Sequence, residues 1–150
     1  MGKTIKERLT DQCRAQLQAR IATLQRSVET IQAARNNETK SSAGDKYETG
    51  RAMMQMEEDK VMAQLDQAQF QLQQLRQIPP YSGTTISSGS LVRTQKGCYF
   101  LSVSMGKAMV DGTVFYCIST QAPLAQQMLG KSKGDKIVFN GQEDEILDVT

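Results

Sequence analysis

Two stripes of apolar residues at coiled-coil spacing, separated by a stretch of helix breakers, restrict this chain more than any other feature. Leu17, Ile21, Leu24, Val28 and Ile31 follow one another at steps of four, three, four and three, and Val61, Leu65, Ala68, Leu72 and Leu75 repeat the pattern. Gln, Arg and Glu dominate the positions between, so each stripe is too narrow for a globular bundle. A helix with one narrow stripe cannot bury it alone. Two matched stripes in one chain bury each other most simply as an antiparallel pair. Between them Asn36 to Arg51 reads NNETKSSAGDKYETGR, with small residues, Gly44 and mixed charges, and forms the tip of a helical hairpin. At ~1.5 Å per residue, an arm of about 33 residues is about 50 Å long. The competing reading, one strand of a longer parallel dimer, gives the breakers no role.

Local signals fix the ends of the arms. Thr4-Ile5-Lys6-Glu7 has the form of a capping box, so the first helix runs from there to about Asn37. Ile5, Leu9, Cys13 and Leu17 step by four, so the stripe drifts before it settles into heptads, with Cys13 on it as a small buried hydrophobe. Ser42 caps the second helix, and Asp45 stands in its first turn, where the helix dipole favours negative charge. Asp45 and Glu48 are three apart and share a face at the end of the hairpin. Gly50 permits a close approach, either to the first arm or to a partner. Met53, Met54, Met56 and Met62 are adaptable apolar side chains, expected to pack into the core rather than form a binding surface.

The second half has a different texture. Of the eight Phe and Tyr residues, Tyr47, Phe70 and Tyr81 come first, and Tyr99, Phe100, Phe115, Tyr116 and Phe139 concentrate after Pro80. Ile78-Pro79-Pro80 ends the second helix, and the Ser-, Thr- and Gly-rich run to Ser90 reads as a linker. Strands are expected at Leu91 to Thr94, Cys98 to Ser104 and Val114 to Ser119, followed by a short helix from Gln121 to Leu129 opened by Pro123. A last hairpin, Lys136 to Phe139 and Glu145 to Val149, turns at Asn140-Gly141, the dipeptide a type I′ turn prefers. The class is α+β: residues 1–78 an antiparallel helical hairpin (coiled coil), residues 79–90 a linker, residues 91–150 a small antiparallel sheet domain with one short helix.

Composition removes several functions. The chain has no histidine, and Cys13, Cys98 and Cys117 lack metal-ligand spacing, which excludes Cys-His zinc sites, Ser-His and Cys-His catalysis and a disulfide framework. No phosphate-binding glycine loop and no nucleophile with a visible base is present, so a self-contained enzyme is not expected. A formal net charge of +2, with both signs mixed, gives no basic stripe for a duplex. Neither a membrane span nor a signal peptide is visible, and a cytoplasmic monomer is the expectation.

The run Ile118 to Ile137, ISTQAPLAQQMLGKSKGDKI, resembles the signature of bacterial Gre transcription elongation factors, I-S-x-x-S-P-L-(A/G)-x-x-L-(L/I)-G-K-x-x-G-D-x-V. Pro123-Leu124-Ala125, Leu129-Gly130-Lys131 and Gly134-Asp135 keep that pattern, and Gly89-Ser90-Leu91-Val92 is similar to the G-S-x-V that opens the same domain. The order of parts is also that of the family: helical hairpin, linker, FKBP-like sheet domain. The resemblance implies a factor that binds RNA polymerase at its secondary channel and rescues backtracked complexes by stimulating transcript cleavage, meeting DNA and RNA only indirectly. It places polymerase binding at Ala122, Pro123 and Leu124. It makes Ser42, Lys46 and Tyr47 part of the working tip. Acidic tip residues would help hold a second Mg²⁺ shared with the polymerase, a role a few carboxylates with phosphate and water oxygens can fill.

The tip departs from the family pattern D-L-S-E-N-A-E-Y. With its tyrosine on Tyr47, Lys40 and Ala43 stand where two acidic residues are expected, and Ser42 is kept. Asp45 and Glu48 are the candidates to replace the missing pair as Mg²⁺ ligands. If they serve only the helix end, the chain is a non-cleaving regulator of the same channel. A peptidyl-prolyl isomerase or chaperone on an FKBP-like domain is a further reading, opposed by the scarcity of aromatic residues and the absence of tryptophan.

Overall fold

The computed structural model describes residues 3–40, 45–80 and 83–150, with the side chains of residues 38–40 and 45–47 outside the description. Two compact units divide it: Ala15–Leu72, and Met1–Arg14 together with Gln73–Thr150. Helix α1 covers Ile5–Lys40 and α2 covers Asp45–Arg76. The Thr4 hydroxyl accepts the Glu7 amide at 3.2 Å, as the capping sequence requires. The Ser42 cap lies outside the described residues.

Within Ala15–Leu72 the helices form the expected hairpin. Leu17, Val61, Leu65, Ala68 and Leu72 are buried, and Ile21, Leu24, Val28 and Ile31 are half-buried. Continuing each stripe by its own rhythm, four beyond Ile31 and three before Val61, gives Arg35 and Glu58. These two meet: Arg35 Nη1 donates to Glu58 Oε1 at 2.6 Å and to Gln55 Oε1 at 3.1 Å. Near the tip the apolar seam therefore gives way to an ion pair, with Glu58 8% exposed. The same rhythm explains the methionines. It reaches Met54, which is half-buried, and misses Met53 and Met56, which are 66% and 72% exposed. The expectation that Met53, Met56 and Met62 pack into the core is corrected: all three lie on the surface.

The ion pair supports a prediction. Arg35→Leu leaves the Glu58 carboxylate buried with no cation, which costs about 3–5 kcal/mol in such sites. Arg35→Leu with Glu58→Leu restores an apolar seam and is expected to be neutral or more stable than the parent. Denaturant unfolding followed at 222 nm tests this, and a single variant as stable as the parent would count against the seam assignment.

The second unit is built on a six-stranded sheet of β1 (Leu91–Thr94), β2 (Cys98–Ser102), β3 (Gly106–Val110), β4 (Thr113–Ser119), β5 (Lys136–Phe139) and β6 (Gln142–Val149), in the order β3-β4-β2-β1-β6-β5. Two features differ from the expectation. Strand β3 was not foreseen, and β2 pairs with β4 in parallel, Phe100 opposite Cys117, while every other pairing is antiparallel. Two type I′-like turns close the hairpins, Asp111-Gly112 (φ 52° and 78°) and Asn140-Gly141 (φ 54° and 75°).

Both faces of the sheet are covered. On one, Val92, Leu101, Ile137, Ile146 and Val149 pack with Ala125 and Met128 of α3 (Pro123–Met128). Strand alternation puts Ala108, Val110, Phe115, Cys117 and Phe100 on the other face. There the first turns of α1 lie: Arg8 forks onto the Asp111 carboxylate, Gln12 donates to the Met109 carbonyl, and Cys13 Sγ is 3.6 Å from Cys117 Sγ. The stretch read as a linker also joins this unit. Ile86 is buried in the core, its amide donates to the Lys131 carbonyl at 2.8 Å, and its carbonyl accepts the Gly130 amide at 2.9 Å.

Candidate functional site

The segment that carries the Gre-like signature folds as the end of β4, then α3, then the approach to β5. Ser119 organises the entry: its carbonyl accepts the Ala122 amide at 3.0 Å and its hydroxyl accepts the Gln121 amide at 3.1 Å. Ala122 is the extended residue before the helix and Pro123 is its first residue, where a missing amide is no loss. Gly130 and Gly134 have φ of 84° and 90°, a region closed to most side chains. The Asp135 carboxylate accepts the Ser132 amide at 2.8 Å and so closes the intervening turn. The signature's glycines and aspartate thus build the loop. Of the three residues expected to bind a partner, Pro123 is exposed, while Ala122 and Leu124 are half-buried and pack against the core.

The tip residues are placed less fully. Ser42 lies outside the described residues. Asp45, Lys46 and Tyr47 open α2, with side chains outside the description, and Glu48 is exposed. Among the described residues no group of three or more His, Cys, Asp or Glu side chains comes together to hold a metal ion.

Leu124 faces a feature that was not read from the sequence. With Tyr99, Ile137, Phe139 and Asp144 it lines a cavity of about 190 Å³ between α3 and the sheet. Asp144 is 6% exposed, and its Oδ1 has no hydrogen-bond partner among the described residues. Burial and then the Asp144 charge hold the Tyr99 phenol above its ordinary range. The signal was present in the alternation of β6, where Asp144 shares the inward face with Ile146 and stands opposite Ile137. On the other face of the sheet, the hydrogen bond to Cys13 and then burial push the Cys117 thiol up. Both thiols are buried, and the pair packs the first turns of α1 onto the sheet.

No known protein-family profile matches the chain, and no curated protein does. Among solved structures it is similar to the crystal structure of GreA factor homolog 1 (Gfh1) of Thermus thermophilus, at 17% identity and TM-score 0.35, covering 87% of this chain and 94% of that one. A structure of the transcription factor Gfh1 gives 18% identity and TM-score 0.34, with 93% and 92% covered. Thermus aquaticus Gfh1 gives 16% and 0.31, with 85% and 92% covered.

Proposed function

We propose that this chain is an RNA polymerase-binding elongation factor that docks through its sheet unit and extends its hairpin into the secondary channel to stimulate cleavage of backtracked transcripts. The observation that carries the reading is the run Ile118 to Ile137. Its Gre-like residues fall on a defined β4–α3–β5 segment that leaves Pro123 exposed, in a chain whose other part is a long helical hairpin. In this reading the cleavage chemistry and its Mg²⁺ belong to the polymerase. The chain contributes a rigid arm and the carboxylates of Asp45 and Glu48, three residues apart at the start of α2. Lys40 and Ala43, at positions where the family carries acids, favour a second reading in which the chain occupies the channel without cleaving.

The experiment is a transcript-cleavage assay on stalled complexes of the cognate polymerase, with pull-down in parallel. Asp45→Ala/Glu48→Ala is expected to lower cleavage about 10-fold or more, the factor 1.4 kcal/mol of lost transition-state stabilisation gives, and to leave binding intact. Pro123→Asp/Leu124→Asp is expected to abolish binding. A parent that binds and blocks a cleaving factor without cleaving selects the second reading. A parent that never binds polymerase overturns both.

A further inference from the structure

Three buried side-chain atoms have no hydrogen-bond partner among the described residues: Glu58 Oε2, Ser102 Oγ and Asp144 Oδ1. Asp144 differs from the other two in lining the cavity beside α3. Its place in the sheet makes it costly. Ile137 stands opposite it on β5, and Ile146 follows it on the inward face of β6, so alternation asks for an apolar residue there. One oxygen of this carboxylate, Oδ1, is left without a donor among the described residues, and a buried acceptor in that state is expensive unless something supplies one. The cation among the lining residues does not. Lys96 lines the same cavity, but its ammonium donates to the Gln142 side-chain carbonyl.

The remaining walls narrow the chemistry. Tyr99 and Phe139 bring two aromatic rings to the cavity, and Leu124 and Ile137 bring apolar surface. Aromatic faces attract cations, and a carboxylate binds most strongly to a donor that is itself charged. A volume of about 190 Å³ is below the range of about 300–1,000 Å³ typical of larger ligands and suits a single side chain or small amine. We propose that this cavity is a binding site for one organic cation, an alkylammonium or guanidinium group, whose N–H donors satisfy Asp144 Oδ1 while its charge lies against Tyr99 and Phe139. The cation comes either from a Lys or Arg side chain of a partner or from a free polyamine. The site does not rest on the polymerase reading: Leu124 is common to both, but the test of the cavity needs no polymerase.

The test is a titration of the full ¹⁵N-labelled chain with n-butylammonium, methylguanidinium, spermidine and an acetylated, amidated Gly-Gly-Arg-Gly-Gly peptide, with n-butanol and methylurea as neutral controls. The cations are expected to shift the amide signals of Tyr99, Leu124, Phe139 and Asp144 in a saturable way, and the neutral controls are not. Asp144→Asn should weaken binding about 10-fold or more by removing the charge-assisted acceptor. Lys96→Met should strengthen it by removing a competing cation. Should Asp144→Asn fail to fold, Phe139→Leu is expected to lower affinity by removing one ring. Tighter binding of the peptide than of spermidine assigns a partner side chain, and the reverse assigns a free polyamine. Absence of saturable shifts up to about 10 mM, equal response to the neutral controls, or unchanged affinity in Asp144→Asn overturns the proposal.

Discussion

A Leu65→Asp protein is expected to lose most of its far-ultraviolet helical signal under conditions where the parent keeps it. Leu65 is 8% exposed in the middle of the α2 seam, between Val61 and Ala68. An aspartate there removes a packed side chain and leaves a carboxylate in an apolar stripe. Either change alone costs several kcal/mol, and an uncompensated buried charge costs about 3–5 kcal/mol. A narrow seam has little to offset this, because burial of one stripe is most of what holds such helices together. Near-ultraviolet circular dichroism from Tyr99, Phe100, Phe115 and Tyr116 reports on the other unit and should survive. Retention of the parent's helicity and midpoint would show that the stripe does not hold the hairpin.

The hairpin was legible because its stabilisation is periodic and local: a stripe at steps of three and four needs no knowledge of distant sequence. Even the ion pair could have been found by extending both stripes until they met Arg35 and Glu58. The sheet was legible only in part. Asn140-Gly141 announces the last hairpin, and Asp111-Gly112, the same kind of signal, stands between β3 and β4. Gly106 and Ala108 depress its strand propensity, and the strand forms because β4 offers it an edge. The parallel pairing of β2 with β4 is non-local, and no short-range pattern encodes it. The cavity was missed for a related reason. Asp144 becomes unusual only when Ile146 and Ile137 are known to face inward beside it.

Residues 82–150 on their own are expected not to fold, although the sequence read them as linker and domain. Leu9 and Cys13 lie one turn apart on α1, 0% and 1% exposed, and the bonds from Arg8 and Gln12 and the sulfur contact of Cys13 place that turn against β3 and β4. Without it Ala108, Val110, Phe115 and Cys117 face water, an apolar patch that favours aggregation. The drift of Ile5, Leu9 and Cys13 away from heptad spacing has this cause: the stripe changes partner, from helix to sheet. Two substitutions separate the contributions. Leu9→Ala should cost about 2–5 kcal/mol through lost burial and the cavity left behind. Arg8→Ala should cost under about 1 kcal/mol, because its fork onto Asp111 is exposed and screened. Denaturant unfolding of the full chain, followed by near-ultraviolet signal, measures both. A fragment of residues 82–150 that unfolds cooperatively at the parent's midpoint would show the sheet to be self-sufficient.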